Sequence, residues 1–213
     1  RNKMKKIKLP AIVPPMYLSK NVAIVGSSAR LNDSLNGKLI DGYDEVIRFN
    51  RAVVDGYENN VGNKTSLRIV NNPVFNGNNL EKEGYSNAPP DFIKNLKNTN
   101  LLYCARDLDP WRRREKLTDS SCDLSIVNYH ELDILKKIHG VKINKDFSIG
   151  TCFIFLCIAS GITPHLFGID IEEGVRRTHY WEERPSKAGP CHAITDEKKW
   201  LQKLIKGGIV VYN

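Results

Sequence analysis

The stretch Val22 to Asn50 constrains this chain most. An apolar run, Val22-Ala23-Ile24-Val25, stops at Gly26 and is followed by two serines. After a short polar segment a second apolar run, Val46-Ile47, ends in Arg48-Phe49-Asn50. A buried strand that runs into a small-residue turn and then a helix lets backbone N–H groups approach an anion. Gly26 stands alone, so this is not the three-glycine fingerprint of dinucleotide enzymes, and no Gly-Lys-Ser/Thr follows to make a Walker loop. The missing glycines speak against an NAD-type oxidoreductase.

Around this stretch, apolar runs alternate with helical patterns. Strands are expected at 22–25, 45–49, 66–70, 101–105, 164–169 and 209–212. Helices are expected at 35–40, with Asp33 or Ser34 as cap, and at 92–97, 111–117, 130–139, 152–160 and 196–206. The polar segment 56–65 and the Gly/Asn/Pro-rich segment 76–90 read as loops. Alternating strands and helices mean an α/β fold with a mainly parallel central sheet flanked by helices. A chain of 213 residues is one domain's worth of core. Residues 1–20, rich in lysine and bearing Pro10, Pro14 and Pro15, read as an extended basic arm before a single domain spanning 21–213.

Lys plus Arg exceed Asp plus Glu, 32 to 24, a formal net charge of +8. The basic residues are scattered and no nucleic-acid-binding motif accompanies them, so an anionic small ligand is favoured over RNA or DNA. The clusters Lys3-Lys5-Lys6-Lys8 and Arg112-Arg113-Arg114 suit peripheral contact with an acidic membrane or glycolipid surface. No apolar run is long enough to span a bilayer. Five cysteines, without metal-ligand spacing, fit a reducing, cytoplasmic location; a Golgi lumenal one is the alternative if an upstream anchor has been removed.

Four groups of residues carry chemistry. Gly26, Ser27 and Ser28 stand with Asn50 at the ends of two strands, where such sheets bind ligands. Ser148, Gly150 and Thr151 open an apolar helix, a place for an anion or for ordinary capping. His179-Tyr180-Trp181-Glu182 and, further on, His192 with Glu197 place imidazoles among polar residues, where one can move a proton near neutral pH. No H-x-x-x-H occurs, and neither a metal nor another cofactor is expected.

These groups, in this order and spacing, resemble the eukaryotic-type sialyltransferases, glycosyltransferase family 29. Val22 to Val70 is similar to the large sialylmotif, Phe147 to Asp170 to the small one, HYWE to motif III, and His192 with Glu197 to the very small motif. The resemblance implies a Rossmann-like variant GT-A fold and metal-independent, inverting transfer of a sialic acid from its CMP conjugate to a glycan hydroxyl. It makes His192 the general base, and His179 the group that stabilises the departing phosphate. Gly26, Ser27, Ser28, Asn50, Ser148, Gly150, Thr151 and Gly168 become the CMP-sugar site, with Tyr180 and Glu197 in support; Glu197 would orient the His192 ring or cap a helix. The acceptor would bind at 76–90 and 107–121, with Trp111 and its arginines. Two departures stand out. Val22 and Gly161 occupy the positions of the family disulfide, and Ser27 replaces a CMP-binding Asn. The second keeps CMP-Kdo open as the donor, and a catalytically silent nucleotide- or glycan-binding module remains the other reading.

Overall fold

The computed structural model describes residues 6–76, 96, 99–104, 123–143, 145–172, 179–182 and 194–213. Its strands are β1 (Ile7–Lys8), β2 (Ile12–Val13), β3 (Tyr17–Leu18), β4 (Val22–Val25), β5 (Glu45–Phe49), β6 (Leu67–Asn71), β7 (Asn100–Cys104), β8 (Leu124–Val127), β9 (His165–Phe167) and β10 (Val211–Tyr212). A 3-10 helix covers Ala29–Asp33. The α-helices are α1 (Gly37–Asp41), α2 (Glu58–Val61), α3 (Asn72–Asn76), α4 (Tyr129–Ile138), α5 (Ile149–Ala159) and α6 (Ile194–Lys206).

Eight strands form one sheet in the order β10-β9-β4-β5-β6-β7-β8-β2, while β1 and β3 pair separately. Every pairing in the large sheet is parallel except β2 with β8. The strand residues Val22, Ala23, Ile24 and Val25 are all buried, as in a strand covered on both faces. Helix α5 is apolar all round, and Cys152 through Cys157 are buried against the main core. It ends in a Schellman motif: the Gly161 N–H bonds Ile158 O at 2.9 Å and the Ile162 N–H bonds Cys157 O at 2.9 Å. Gly161 takes φ +71° there, a conformation that glycine adopts without strain.

The sequence order of the strands runs outward from β4 through β5, β6, β7 and β8, then returns to β9 on the other side of β4. The reversal between β4 and β9 is a topological switch point, and a crevice opens outside the carboxyl ends of strands at such a point. There the two strand ends pass in close contact. The Gly26 N–H bonds Phe167 O at 2.7 Å, and the Ser28 N–H bonds Gly168 O at 3.0 Å. A Cβ on Gly26 would stand 2.2 Å from Gly168 O.

Some expectations change. The basic stretch 1–20 is extended but not detached: β2 adds to the sheet edge beside β8, and Leu9, Ala11, Ile12 and Leu18 are buried. The helix expected at 35–40 starts at Gly37, leaving Leu35 exposed, and neither Asp33 nor Ser34 caps it: Asn36 holds the N-cap position without a side-chain bond. Ser28 instead caps the preceding 3-10 helix. The loop 56–65 contains α2, and β8 was not expected at all. The segments 77–95 and 105–122 lie outside the described residues, and with them the expected helix at 111–117 and all but Leu96 of the one expected at 92–97.

Gly26→Ala is expected to destabilise the fold by about 3 kcal/mol, because the added methyl meets the backbone carbonyl of Gly168 as well as the Ile169 side chain. Urea unfolding followed by circular dichroism measures it; a loss under about 1 kcal/mol would mean that the strand crossing is slack.

Candidate functional site

Three segments meet over the carboxyl ends of β4 and β5. The turn Gly26-Ser27-Ser28 leaves β4. Residues 50–53 leave β5. The third is the segment 179–182, joined to both. Ser28 and His179 form an antiparallel bridge, and the Tyr180 N–H bonds Ser27 O at 3.0 Å. Asn32 Nδ2 donates to Tyr180 O at 2.9 Å, and the Tyr180 hydroxyl donates to Val53 O. Burial pushes the Tyr180 phenol up to about 12, so it keeps its proton and acts as a donor throughout the physiological range. Tyr180 is therefore the strut that ties motif III to the two strand ends.

His179 is held on two sides. Its Nδ1 lies 2.6 Å from Glu182 Oε2, and its ring stacks on Trp181 with centroids 4.6 Å apart and planes at 4°. A carboxylate on Nδ1 fixes the ring's orientation and leaves Nε2 as the ring nitrogen open to another partner. Arg51, part-buried beyond Asn50, feels the Glu182 charge, although burial is the larger influence and lowers its pKa. The three-residue spacing from His179 to Glu182 was visible in the sequence, but the sequence did not say that the two would pair.

Ser28 is 5% exposed, and its hydroxyl donates to Asp170 Oδ1 at 2.5 Å while accepting from the Arg30 N–H at 3.3 Å. Ser28 thus acts as a cap and a clamp between the two strand ends. Gly168, at φ +59°, gives the chain room beside Leu31: a Cβ there would lie 2.4 Å from Leu31 Cδ1. Asn50 stands at the end of β5 in the left-handed region, φ 45°, which Asn tolerates better than most residues. Its Oδ1 accepts from the Asn71 N–H at 3.1 Å.

The start of α5 reaches the same end of the sheet, since a Cβ on Gly150 would lie 3.9 Å from Phe49 Cζ. Ser148 caps the helix, accepting from the Thr151 N–H at 3.4 Å. The anion at this helix end is the protein's own. Glu197 of α6, 3% exposed, accepts from the Ser148 N–H at 2.8 Å, the Ser148 hydroxyl at 2.6 Å and the Thr151 hydroxyl at 2.6 Å. Glu197 therefore caps a helix, but the neighbouring α5 and not its own, because its carboxylate finds three donors there. The Ser148 and Thr151 hydroxyls, expected to hold the donor, are engaged by that carboxylate. His192 lies outside the described residues. Among the described residues no three His, Cys, Asp or Glu side chains gather as a metal would need.

The topology is that of an α/β protein with a mainly parallel sheet, and its relatives narrow the class. The sequence profile of glycosyltransferase family 29 (sialyltransferase) matches residues 8–209, so the chain belongs to that family. The beta-galactoside alpha-2,6-sialyltransferase 2 of Bos taurus is 42% identical over 72 residues, 30% of this chain and 14% of that enzyme. Its counterpart in Danio rerio is 44% identical over 71 residues, again 14% of its length. The chain therefore aligns with only a small part of these relatives. Among solved structures, a mammalian sialyltransferase in complex with Gal-beta-1-3GalNAc-ortho-nitrophenol shares the fold with TM-score 0.67 and 17% identity, over 90% of this chain and 68% of that one. The monofunctional alpha-2,3-sialyltransferase Cst-I of Campylobacter jejuni matches with TM-score 0.54 and 20% identity, over 91% of this chain and 75% of that one.

Membership overturns the cytoplasmic expectation, because eukaryotic sialyltransferases of this family, such as the beta-galactoside alpha-2,6 enzymes, are Golgi lumenal. The two residues at the positions of the family disulfide have local explanations. Val22 is a fully buried strand residue of the main core, and Gly161 terminates α5 in a left-handed conformation. Their identities follow from packing and helix termination and carry no message about redox environment.

Glu197→Ala is expected to cost roughly 3 kcal/mol, since it leaves the first turn of α5 without its buried acceptor. Chemical unfolding of the variant measures this, and a loss below about 1 kcal/mol would show that solvent replaces the carboxylate freely.

Proposed function

We propose that the protein is a glycosyltransferase that moves a sialic acid from its CMP conjugate to a glycan hydroxyl, with inversion at the anomeric carbon and without a metal, on a variant GT-A fold. The observation that carries this reading is the meeting of the β4 turn, Asn50 and His179 at one crevice, in a chain matched to the sialyltransferase family over residues 8–209. Solved sialyltransferases of similar fold bind CMP, the substrate analogue CMP-3FNeuAc and Gal-beta-1-3GalNAc-ortho-nitrophenol, which supports a nucleotide donor and a sugar acceptor.

In the proposed reaction the acceptor hydroxyl attacks the anomeric carbon as the bond to the CMP phosphate breaks. His192, when neutral, takes the hydroxyl's proton. Negative charge grows on the phosphate. His179, oriented by Glu182, meets that charge together with the Asn50 amide, and such fixed donors need no reorganisation as the charge develops. The anomeric centre is oxocarbenium-like, so alignment of donor and acceptor matters more than base strength. Glu197 supports the site at one remove, by fixing α6 against the start of α5.

His192→Ala is expected to lower turnover by about a thousandfold while changing CMP affinity less than threefold, read from CMP release and calorimetry. Unimpaired turnover in that variant would remove His192 from the base role. For His179→Ala the expected loss is about a hundredfold in kcat with a smaller effect on acceptor KM. An unchanged kcat would argue against a phosphate contact. A screen of CMP-Neu5Ac against CMP-Kdo decides the donor: release from CMP-Kdo alone would replace sialic acid by Kdo, and release from neither would favour a binding module.

A further inference from the structure

The register of β5 and β6 sets Arg48 beside Arg68, and both side chains are inside the protein, at 0% and 7% exposure. Burying two guanidinium groups side by side is costly, so each must hold something. Arg48 holds the turn after α2. Its Nη2 donates to the carbonyls of Val61, Gly62 and Lys64 at 2.7, 3.0 and 3.0 Å, and its Nε donates to the Thr65 hydroxyl at 3.0 Å. Arg68 holds the candidate site. Its Nη1 donates to Asn50 O at 2.7 Å and to Ala52 O at 3.2 Å.

Those two carbonyls bracket the place where β5 ends and the chain turns away in the left-handed region, at Asn50. Every other hydrogen-bonding group of Asn50 is also used. Its N–H donates to Ile69 O at 2.7 Å, and its Oδ1 accepts from the Asn71 N–H at 3.1 Å. Only the amide NH2 has no partner among the described residues. A residue fixed at its N–H, its carbonyl and its Oδ1, with one side-chain donor to spare, suits a ligand group that only accepts hydrogen bonds. The guanidinium behind it adds positive charge that solvent ions screen poorly.

Resting on the reading of this crevice as a CMP-sugar site, we infer that Arg68 is a positioning residue for the donor phosphate. It holds Asn50 in its left-handed turn so that the Asn50 amide nitrogen meets a phosphate oxygen, and it backs that contact with buried positive charge. The consequence is selective. Loss of Arg68 weakens ligands that carry the phosphate and spares the neutral nucleoside.

The test compares dissociation constants for CMP and cytidine, by calorimetric titration or displacement, in wild type, Asn50→Ala, Arg68→Lys, Arg68→Gln and the Asn50→Ala/Arg68→Lys double variant. Thermal unfolding checks that each is folded. Arg68→Lys keeps the charge but cannot grip both carbonyls as a fork does, and it carries the test if Arg68→Gln fails to fold. Asn50→Ala and Arg68→Lys are each expected to weaken CMP about tenfold and cytidine less than twofold. The double variant should bind CMP no more than about twofold more weakly than Asn50→Ala, because the two residues act through one contact. Equal losses for CMP and cytidine, an unchanged CMP affinity in Asn50→Ala, or additive effects in the double variant would each overturn the inference. Wild type that binds cytidine or CMP-sugar but gains nothing from the phosphate overturns it too, while wild type that binds none of these ligands takes down the site reading along with it.

Discussion

The architecture depends on two strand ends passing at glycine distance. Where β4 gives way to its turn, Gly26 lies so close to Gly168 O that a methyl group could not fit, and the pair of backbone bonds across that gap joins the first half of the chain to the second. Everything functional hangs from this joint. The turn it creates places Ser28 under Asp170 and opens the bridge to His179, and Tyr180 then reaches across to the end of β5. A larger residue at position 26 would separate β4 from β9 and take the crevice apart with them.

Charge is arranged around the same joint. The end of α5 that faces the site is already neutralised by Glu197, so the helix dipole there serves the fold first. What remains for a ligand is concentrated at the ends of β4 and β5: Asn50, Arg51, the β4 turn and His179 with its Glu182 partner. Burial and the neighbouring Arg48 push the Arg68 guanidinium down to about 10, still well above neutrality, so the cation behind Asn50 persists in its buried position.

Much of this was legible in the sequence because the parallel core writes itself in short apolar runs. Val22 to Val25, Glu45 to Phe49 and the apolar helix before Gly161 were each bounded by residues that stop an element, and they occur where expected. Less legible were the pieces whose meaning depends on distant partners. β2 has only two residues and becomes a strand by pairing with β8, which is itself held by β7 on its other side. The role of Glu197 was hidden for a related reason. Its position five residues after His192 suggested service to that ring, whereas its donors lie 46 and 49 positions away on another helix. The buried arginines were obscured by composition, since in a chain with 32 basic residues two more cations in strand positions draw no notice.

The strand order also sets a timetable for the nascent chain. β4 is made well before its partner on one side, β9, and the Ser28–Asp170 contact closes a separation of 142 residues. Until then one edge of β4, lined by buried-type residues, has no neighbour. Long-range parallel pairing of this kind is slow to form and leaves an adhesive strand edge exposed in the meantime. The protein thus acquires its ligand crevice in the same late step that hides its most aggregation-prone edge, so assembly of the site and escape from misfolding are a single event for this chain.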